Sequence, residues 1–170
     1  MRILAIDPNS RGLAYATLEN GDLVAWGLAN RPRTRTGEMK LSVRVRHDQI
    51  LTILERLIEF LAPDLVVFEA WKDTGSRRSL DTKILLHRIS QTITKRSLAS
   101  FSYSRAALMG ALAEYDVKTK HDIAVFFGRL FPEIGSYVPK KKRKSWQSES
   151  IWLNMFRAVA MAFIRGEKLA

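Results

Sequence analysis

The segment Pro63-Asp64-Leu65-Val66-Val67-Phe68-Glu69 constrains the fold more than any other stretch of the chain. After a helix-stopping proline and Asp64, Leu65 to Phe68 is an apolar run with two β-branched valines that ends on a carboxylate, the composition of a parallel strand buried on both faces. Ahead of it, Ile50, Leu54, Leu57, Ile58 and Leu61 keep helical spacing, so a helix from about Val43 to Leu61 feeds directly into this strand. A helix between two parallel strands of one sheet makes a right-handed crossover. The partner strand is supplied upstream by Ile3-Leu4-Ala5-Ile6, which closes on the turn formers Asp7-Pro8-Asn9-Ser10.

Between them, Asn20-Gly21 separates two strand-like runs, Leu13 to Leu18 and Leu23 to Leu28. Both turn residues tolerate positive φ, a strong hairpin signal, so three antiparallel strands open the domain. Residues 31–41 read as an exposed basic connection. After Glu69 the pattern gives a helix near Leu80 to Lys95, a short strand from Ala99 to Ser102, and helices from Ser104 to Tyr115 and Lys120 to Phe131. A basic linker over 138–146 (VPKKKRKSW) precedes a last helix from about Ser150 to Ile164. The order βββαβαβααα describes one α/β domain over 1–170, a mixed sheet flanked by helices. The 46% apolar content is ample for its core.

The formal net charge is +11, which points to a polyanionic partner because neutralising phosphates releases counterions. A merely basic soluble protein has the same signature. The chain has no cysteine, so a disulfide framework, a thiolate metal site and a Cys nucleophile are excluded. No apolar stretch approaches the ~18 residues of a membrane span. Asp7 comes too early for a secretory apolar region. The expectation is a cytoplasmic protein, associated with the nucleoid through its charge.

Asp7 and Glu69 each close a strand and are flanked by apolar residues, so neither is an ordinary surface charge. If the two strands are neighbours, the carboxylates lie side by side. Two such charges in a partly dry site repel unless a cation sits between them. Oxygen ligands without Cys or His favour Mg²⁺ or Mn²⁺. The plainer alternative makes Asp7 a turn former before Pro8 and Glu69 a strand-end salt-bridge partner.

The stretch Ile3-Leu4-Ala5-Ile6-Asp7-Pro8-Asn9-Ser10-Arg11-Gly12-Leu13-Ala14-Tyr15-Ala16, taken with Pro63 to Glu69, resembles the two signatures of the RuvC family of Holliday-junction resolvases, in the ribonuclease H-like superfamily. The likeness is clear over 1–18 and 42–71. It implies a metal-dependent endonuclease for branched DNA, with Asp7 and Glu69 as ligands of a catalytic metal pair. The family takes its other acidic ligands from the last helix, and here this chain departs. Arg157 aligns with the family's final Asp, and Asn154 lies one turn earlier, where an acid or His is usual. Ser150, Asn154 and Arg157 share one helical face, which carries no carboxylate. Glu149 is the nearby acidic candidate for a third catalytic and metal ligand; its alternative role is a favourable charge at a helix start. Arg157 either fills the metal position with its guanidinium, neutralising Asp7 and Glu69, or faces outward. Asn9, where the family has Gly, is a mild departure because Asn tolerates left-handed geometry.

Arg77 and Arg78 follow Glu69, and Lys140-Lys141-Lys142-Arg143-Lys144 precedes the last helix. Both clusters are candidate nucleic-acid contacts, although a solvated charge run is the usual reading of such stretches. Arg31, Arg33, Arg35, Arg44 and Arg46 add to the basic surface. Trp71 is placed either to stack on a base at the junction centre or to pack in the core, and Trp146 lies beside the basic run. His47, His87 and His121 have no metal-ligand spacing. Three functions follow: a RuvC-like, Mg²⁺-dependent nuclease acting as a homodimer; a catalytically silent module binding branched or structured nucleic acid; and an RNA-directed, YqgF-type relative.

Overall fold

The computed structural model describes residues 1–31, 41–72, 78–140 and 149–169. In chain order they form β1 (Arg2–Asn9), β2 (Gly12–Glu19), β3 (Asp22–Asn30), α1 (Val43–Leu61), β4 (Leu65–Glu69), α2 (Leu80–Lys95), β5 (Ala99–Tyr103), α3 (Arg105–Leu112), α4 (Lys120–Leu130) and α5 (Trp152–Glu167). Short 3₁₀ turns follow α3 and α4, at Ala113–Tyr115 and Pro132–Tyr137. One sheet holds all five strands in the order β3-β2-β1-β4-β5. The first three are an antiparallel meander, and β4 and β5 run parallel to β1.

Local chemistry explains the elements. At the hairpin, Glu19 pairs with Asp22, and Asn20 and Gly21 take φ of 52° and 97°, the twist that suits a two-residue turn. Gly12 is required by close approach: a Cβ there would collide with the Ala29 carbonyl oxygen on β3. Ser42, Ser79, Ser104 and Thr119 each accept a backbone N–H at the start of α1 to α4, worth about 1 kcal/mol apiece. No side chain caps α5.

Strand alternation divides the core in two. Ile3, Ala5, Leu65 and Val67 face α3, α4 and α5, where Leu108, Phe127, Phe156 and Val159 complete one cluster. Leu4, Ile6, Val66 and Phe68 face α1 and α2, with Ile50, Leu54, Leu86 and Ile89. By the same parity Asp7 and Glu69 belong to the α5 side of the sheet.

Three boundaries differ from the sequence expectation. β1 does not turn at Asp7 but runs to Asn9, because beyond Ala5 it pairs only with β2. The Arg2 carbonyl accepts from Asp64 on the β4 side, so by strand parity Pro8 turns its missing N–H to the same side, where no strand needs it. α5 begins at Trp152, so Ser150 lies before the helix and does not share a helical face with Asn154 and Arg157. The helix after β5 ends at Leu112 and tightens into the 3₁₀ turn. Among the described residues no helix is long and apolar enough to cross a membrane.

The buried Tyr103 hydroxyl has no hydrogen-bond partner, and burial raises its pKa above the ordinary 10.0 against the pull of Arg165. The fold therefore prefers the neutral phenol. That preference is intact below pH 10 and is lost as pH climbs through the raised folded value. Tyr103→Phe is expected to be neutral or to stabilise by up to ~1 kcal/mol at pH 7. It is also expected to remove the alkaline loss, as read by urea unfolding at neutral and alkaline pH.

Candidate functional site

β1 and β4 are hydrogen-bonded through Ile3–Leu65, Leu4–Val66 and Ala5–Val67, and their register stops there. Two residues further on, each strand carries its carboxylate: Asp7, fully buried, and Glu69, 2% exposed. The sheet parts between them, since Asp7 still pairs with Ala14 on β2 and Glu69 with Tyr103 on β5.

Two guanidiniums close the gap. Arg78, the residue before the Ser79 cap of α2, donates from Nε to Glu69 Oε2 at 2.8 Å and from Nη1 to the Pro8 carbonyl at 2.8 Å. Its Nη2 donates to Asp7 Oδ1. Arg78 thus stands in for the missing rungs between β1 and β4. Arg157, in the second turn of α5 and 8% exposed, donates from Nη2 to Glu69 Oε2 at 2.6 Å. Its Nη1 lies 3.8 Å from Asp7 Oδ2, an oxygen with no hydrogen-bond partner. Burial works to depress the Arg78 pKa, yet the attraction of Asp7 and Glu69 and their hydrogen bonds leave it above the ordinary guanidinium value. Stability drawn from its charge is complete below the ordinary guanidinium range and is lost only as pH passes the higher folded value, so it is constant at neutral pH.

In front of this network lies a cavity of about 240 Å³ lined by Glu69, Arg78, Arg105, Lys120, Glu149, Asn154 and Arg157. Arg105 and Lys120 are the first residues of α3 and α4. Glu149 sits at the exposed edge, where its Oε2 accepts from Lys120 Nζ at 2.8 Å.

The sequence-derived candidates therefore divide. Asp7 and Glu69 are neighbours, and Arg157 faces them from α5 as the helical alignment requires. Asn154 and Glu149 line the adjoining cavity, but Glu149 is paired with Lys120 instead of joining the carboxylates. Arg78, expected to meet a phosphate, is committed to the acidic pair. Trp71 is partly buried against the α1/α2 core, its ring centroid 4.4 Å from that of His87, with Lys72 Nζ 4.9 Å from the Trp71 ring. Lys140 is exposed. Arg33, Arg35, Arg77, Lys141, Lys142, Arg143, Lys144 and Trp146 lie outside the described residues. His47 is buried on α1, with Nε2 2.9 Å from Asp81 Oδ1, a structural pairing between α1 and α2.

Sequence reasoning missed the bridging role of Arg78 and the presence of Arg105 and Lys120 in the cavity. One signal was available: a cation at the first position of a helix opposes the helix dipole, which asks for a compensating anion.

The residues present do not fit a divalent metal pair. Among the described residues no group of three or more acidic or His side chains is arranged to hold an ion. The Asp7 and Glu69 carboxylates already face two fixed cations, Arg78 and Arg157. A divalent ion entering there meets repulsion from both guanidiniums in a buried setting.

No family model matches this chain, and no curated protein matches it. Solved structures do. The chain is similar to Thermus thermophilus RuvC, at 17% identity and a TM-score of 0.62, over 96% of this chain and 92% of that one. T. thermophilus RuvC in complex with Holliday junction substrate aligns at 16% identity and a TM-score of 0.63, over 96% and 91%. The yeast mitochondrial Holliday junction resolvase Ydc2 aligns at 11% identity and a TM-score of 0.62, over 98% and 80%. The fold is RuvC-like, within the ribonuclease H-like class, with a mixed sheet flanked by helices.

Proposed function

We propose that this chain is a nucleic-acid-binding module that recognises branched DNA on a RuvC-like scaffold without metal-dependent strand cleavage. The observation that carries this reading is the occupation of the Asp7–Glu69 pair by Arg78 and Arg157. A guanidinium neutralises a carboxylate as a metal does, but it brings no bound water to activate. The fold keeps its shape and its basic surface while the hydrolytic part of the site is absent.

The partner follows from charge and from likeness. The net charge of +11 favours a polyphosphate backbone. A solved neighbour of this fold was captured with Holliday junction substrate. A four-way junction has two-fold symmetry, which suits binding by a homodimer of this chain. Selectivity for the branch rests on the placing of phosphates in space, since backbone contacts position a protein without reading sequence.

A Mg²⁺- or Mn²⁺-dependent resolvase is the second reading, favoured by the buried carboxylates placed at matching ends of β1 and β4. It requires both arginines to leave the pair. Incubating the chain with a labelled four-way junction separates the two. The expected result is a shifted complex in gel electrophoresis, competed poorly by linear duplex, with no nicking in Mg²⁺ or Mn²⁺. Symmetric nicking that Asp7→Asn abolishes would establish the nuclease instead. Stronger competition by structured RNA than by the junction would move the partner to RNA.

A further inference from the structure

We infer that the outer edge of β3 pairs with β3 of a second copy of this chain, antiparallel and centred on Leu28, so that two sheets join into one. β3 is an end strand of the sheet, and among the described residues no strand lies against its outer edge. It runs from Asp22 to Asn30 and holds no Lys and no Pro, the residues that commonly blunt such an edge. The register shift at Thr17 and Leu18 makes Val24 an extra residue near the hairpin. Beyond it, Ala25 to Asn30 pair with β2 in unbroken register.

That register fixes which backbone groups point outward. The Arg31 N–H donates to the Arg11 carbonyl at 2.8 Å, so Arg11 and Arg31 form a hydrogen-bonded pair. Such pairs alternate along an antiparallel ladder, so Ala29, Gly27 and Ala25 turn their N–H and C=O groups toward β2. Trp26, Leu28 and Asn30 turn theirs away from it. These residues are spaced evenly about Leu28, and a strand with that symmetry is its own complement. With Leu28 opposite Leu28 of the second copy, Trp26 of each chain meets Asn30 of the other, and every pair exchanges both bonds. Trp26 and Leu28 are partly buried against the α5 side of the core, so Leu28 packs on its counterpart there. On the opposite face Gly27 meets Ala29, and neither has the bulk to hold the strands apart.

Charge selects a second copy as the occupant. From Leu23 to Asn30 no residue is charged. Two chains of net charge +11 repel each other, and along this strand they approach without setting like charges opposite. A basic or acidic peptide finds no counter-charge there. β1 runs parallel to β3, so in the pair the two Asp7–Glu69 sites lie at opposite ends of the joined sheet. This two-fold is therefore separate from one that straddles a single junction. On the nucleic-acid reading above, it links two bound molecules.

Sedimentation velocity of the full chain in EDTA, without nucleic acid and over rising concentration, should show a monomer–dimer equilibrium of modest affinity, because one strand edge is a small interface. Leu28→Lys sets two ammonium groups opposite each other and should raise the dimer Kd about tenfold, as should Leu28→Glu. Mixing the two variants should restore association, which a folding defect could not do. The chain has no cysteine, so Leu28→Cys introduces a single thiol. Opposed residues of a hydrogen-bonded pair have Cα atoms about 5.5 Å apart, within disulfide reach, so mild oxidation should give a covalent dimer. Phe60→Cys, at an exposed position on α1, should not crosslink.

A monomer at every concentration, no gain on mixing the charge variants, or equal crosslinking of Leu28→Cys and Phe60→Cys would overturn the inference. So would a dimer that Leu28→Lys leaves intact, which places the two-fold on another surface. These measurements contain no nucleic acid, so the nucleic-acid reading stands or falls separately, on its own gel shift.

Discussion

Arg157→Asp is expected to lose at least 3–5 kcal/mol of stability at pH 7 in EDTA, the cost of removing one partner from a buried ion pair, with a like charge added. For a chain of this size that is a fall in Tm of roughly 6–20 °C. The reason is local: Asp7 and Glu69 are buried, Arg78 alone cannot neutralise three carboxylates, and low dielectric magnifies the residual repulsion. The same variant has three acidic groups converging where the parent chain has two. Mg²⁺ or Mn²⁺ is therefore expected to restore part of the loss by binding only the folded form, by about 2.7 kcal/mol at a hundredfold excess over Kd. The unaltered chain should show no change in Tm with either ion. Differential scanning fluorimetry with and without metal reads both. A rise in Tm of the unaltered chain on adding Mg²⁺ would show that the arginines yield to the ion, and would return the site to the nuclease reading.

The second large effect concerns coupling. Among the described residues, Glu69→Gln takes from Arg78 and Arg157 a carboxylate they share, and Arg157→Met takes from the two carboxylates one of their facing guanidiniums. Each is expected to destabilise by ~3–5 kcal/mol, because each strands a buried charge. The double variant removes one charge of each sign, so its cost should fall well short of the sum. Residues sharing such a network couple by ~0.5–3 kcal/mol. Urea unfolding of the four proteins closes the cycle. Additive losses would mean that Glu69 and Arg157 matter for packing alone, and that the 2.6 Å contact contributes nothing of its own.

Much of this was legible in the residues. The run Leu65 to Glu69 announced a buried parallel strand, Asn20-Gly21 a hairpin, and the Ile50, Leu54, Ile58 spacing the crossover helix; these patterns are local and dictated by periodicity. Arg157 was half legible: a helix carries its neighbours at fixed angles and α5 is otherwise apolar between Asn154 and Arg165, but the pattern left open whether the guanidinium faced the carboxylates or solvent. Arg78 was not. It lies nine residues after Glu69, and nothing in the intervening sequence fixes its direction; the bond that decides it is to Pro8, seventy residues away. The length of β1 was not legible, because Pro8 normally ends pairing and only the arrangement of the sheet shows that its β4 side needs no donor. The contact between Lys120 and Glu149 joins the start of α4 to the segment ahead of α5 and leaves no trace in either pattern.

Where β1 and β4 separate, Arg78 spans the opening with bonds to Pro8, Asp7 and Glu69. An ion in that position would come and go with its concentration, and the end of the sheet would tighten and loosen with it. A side chain is delivered with the polypeptide. On the metal-free reading proposed above, the junction between the two halves of this sheet is complete when the chain has folded, needs no loading step, and keeps one shape whether magnesium is abundant or chelated.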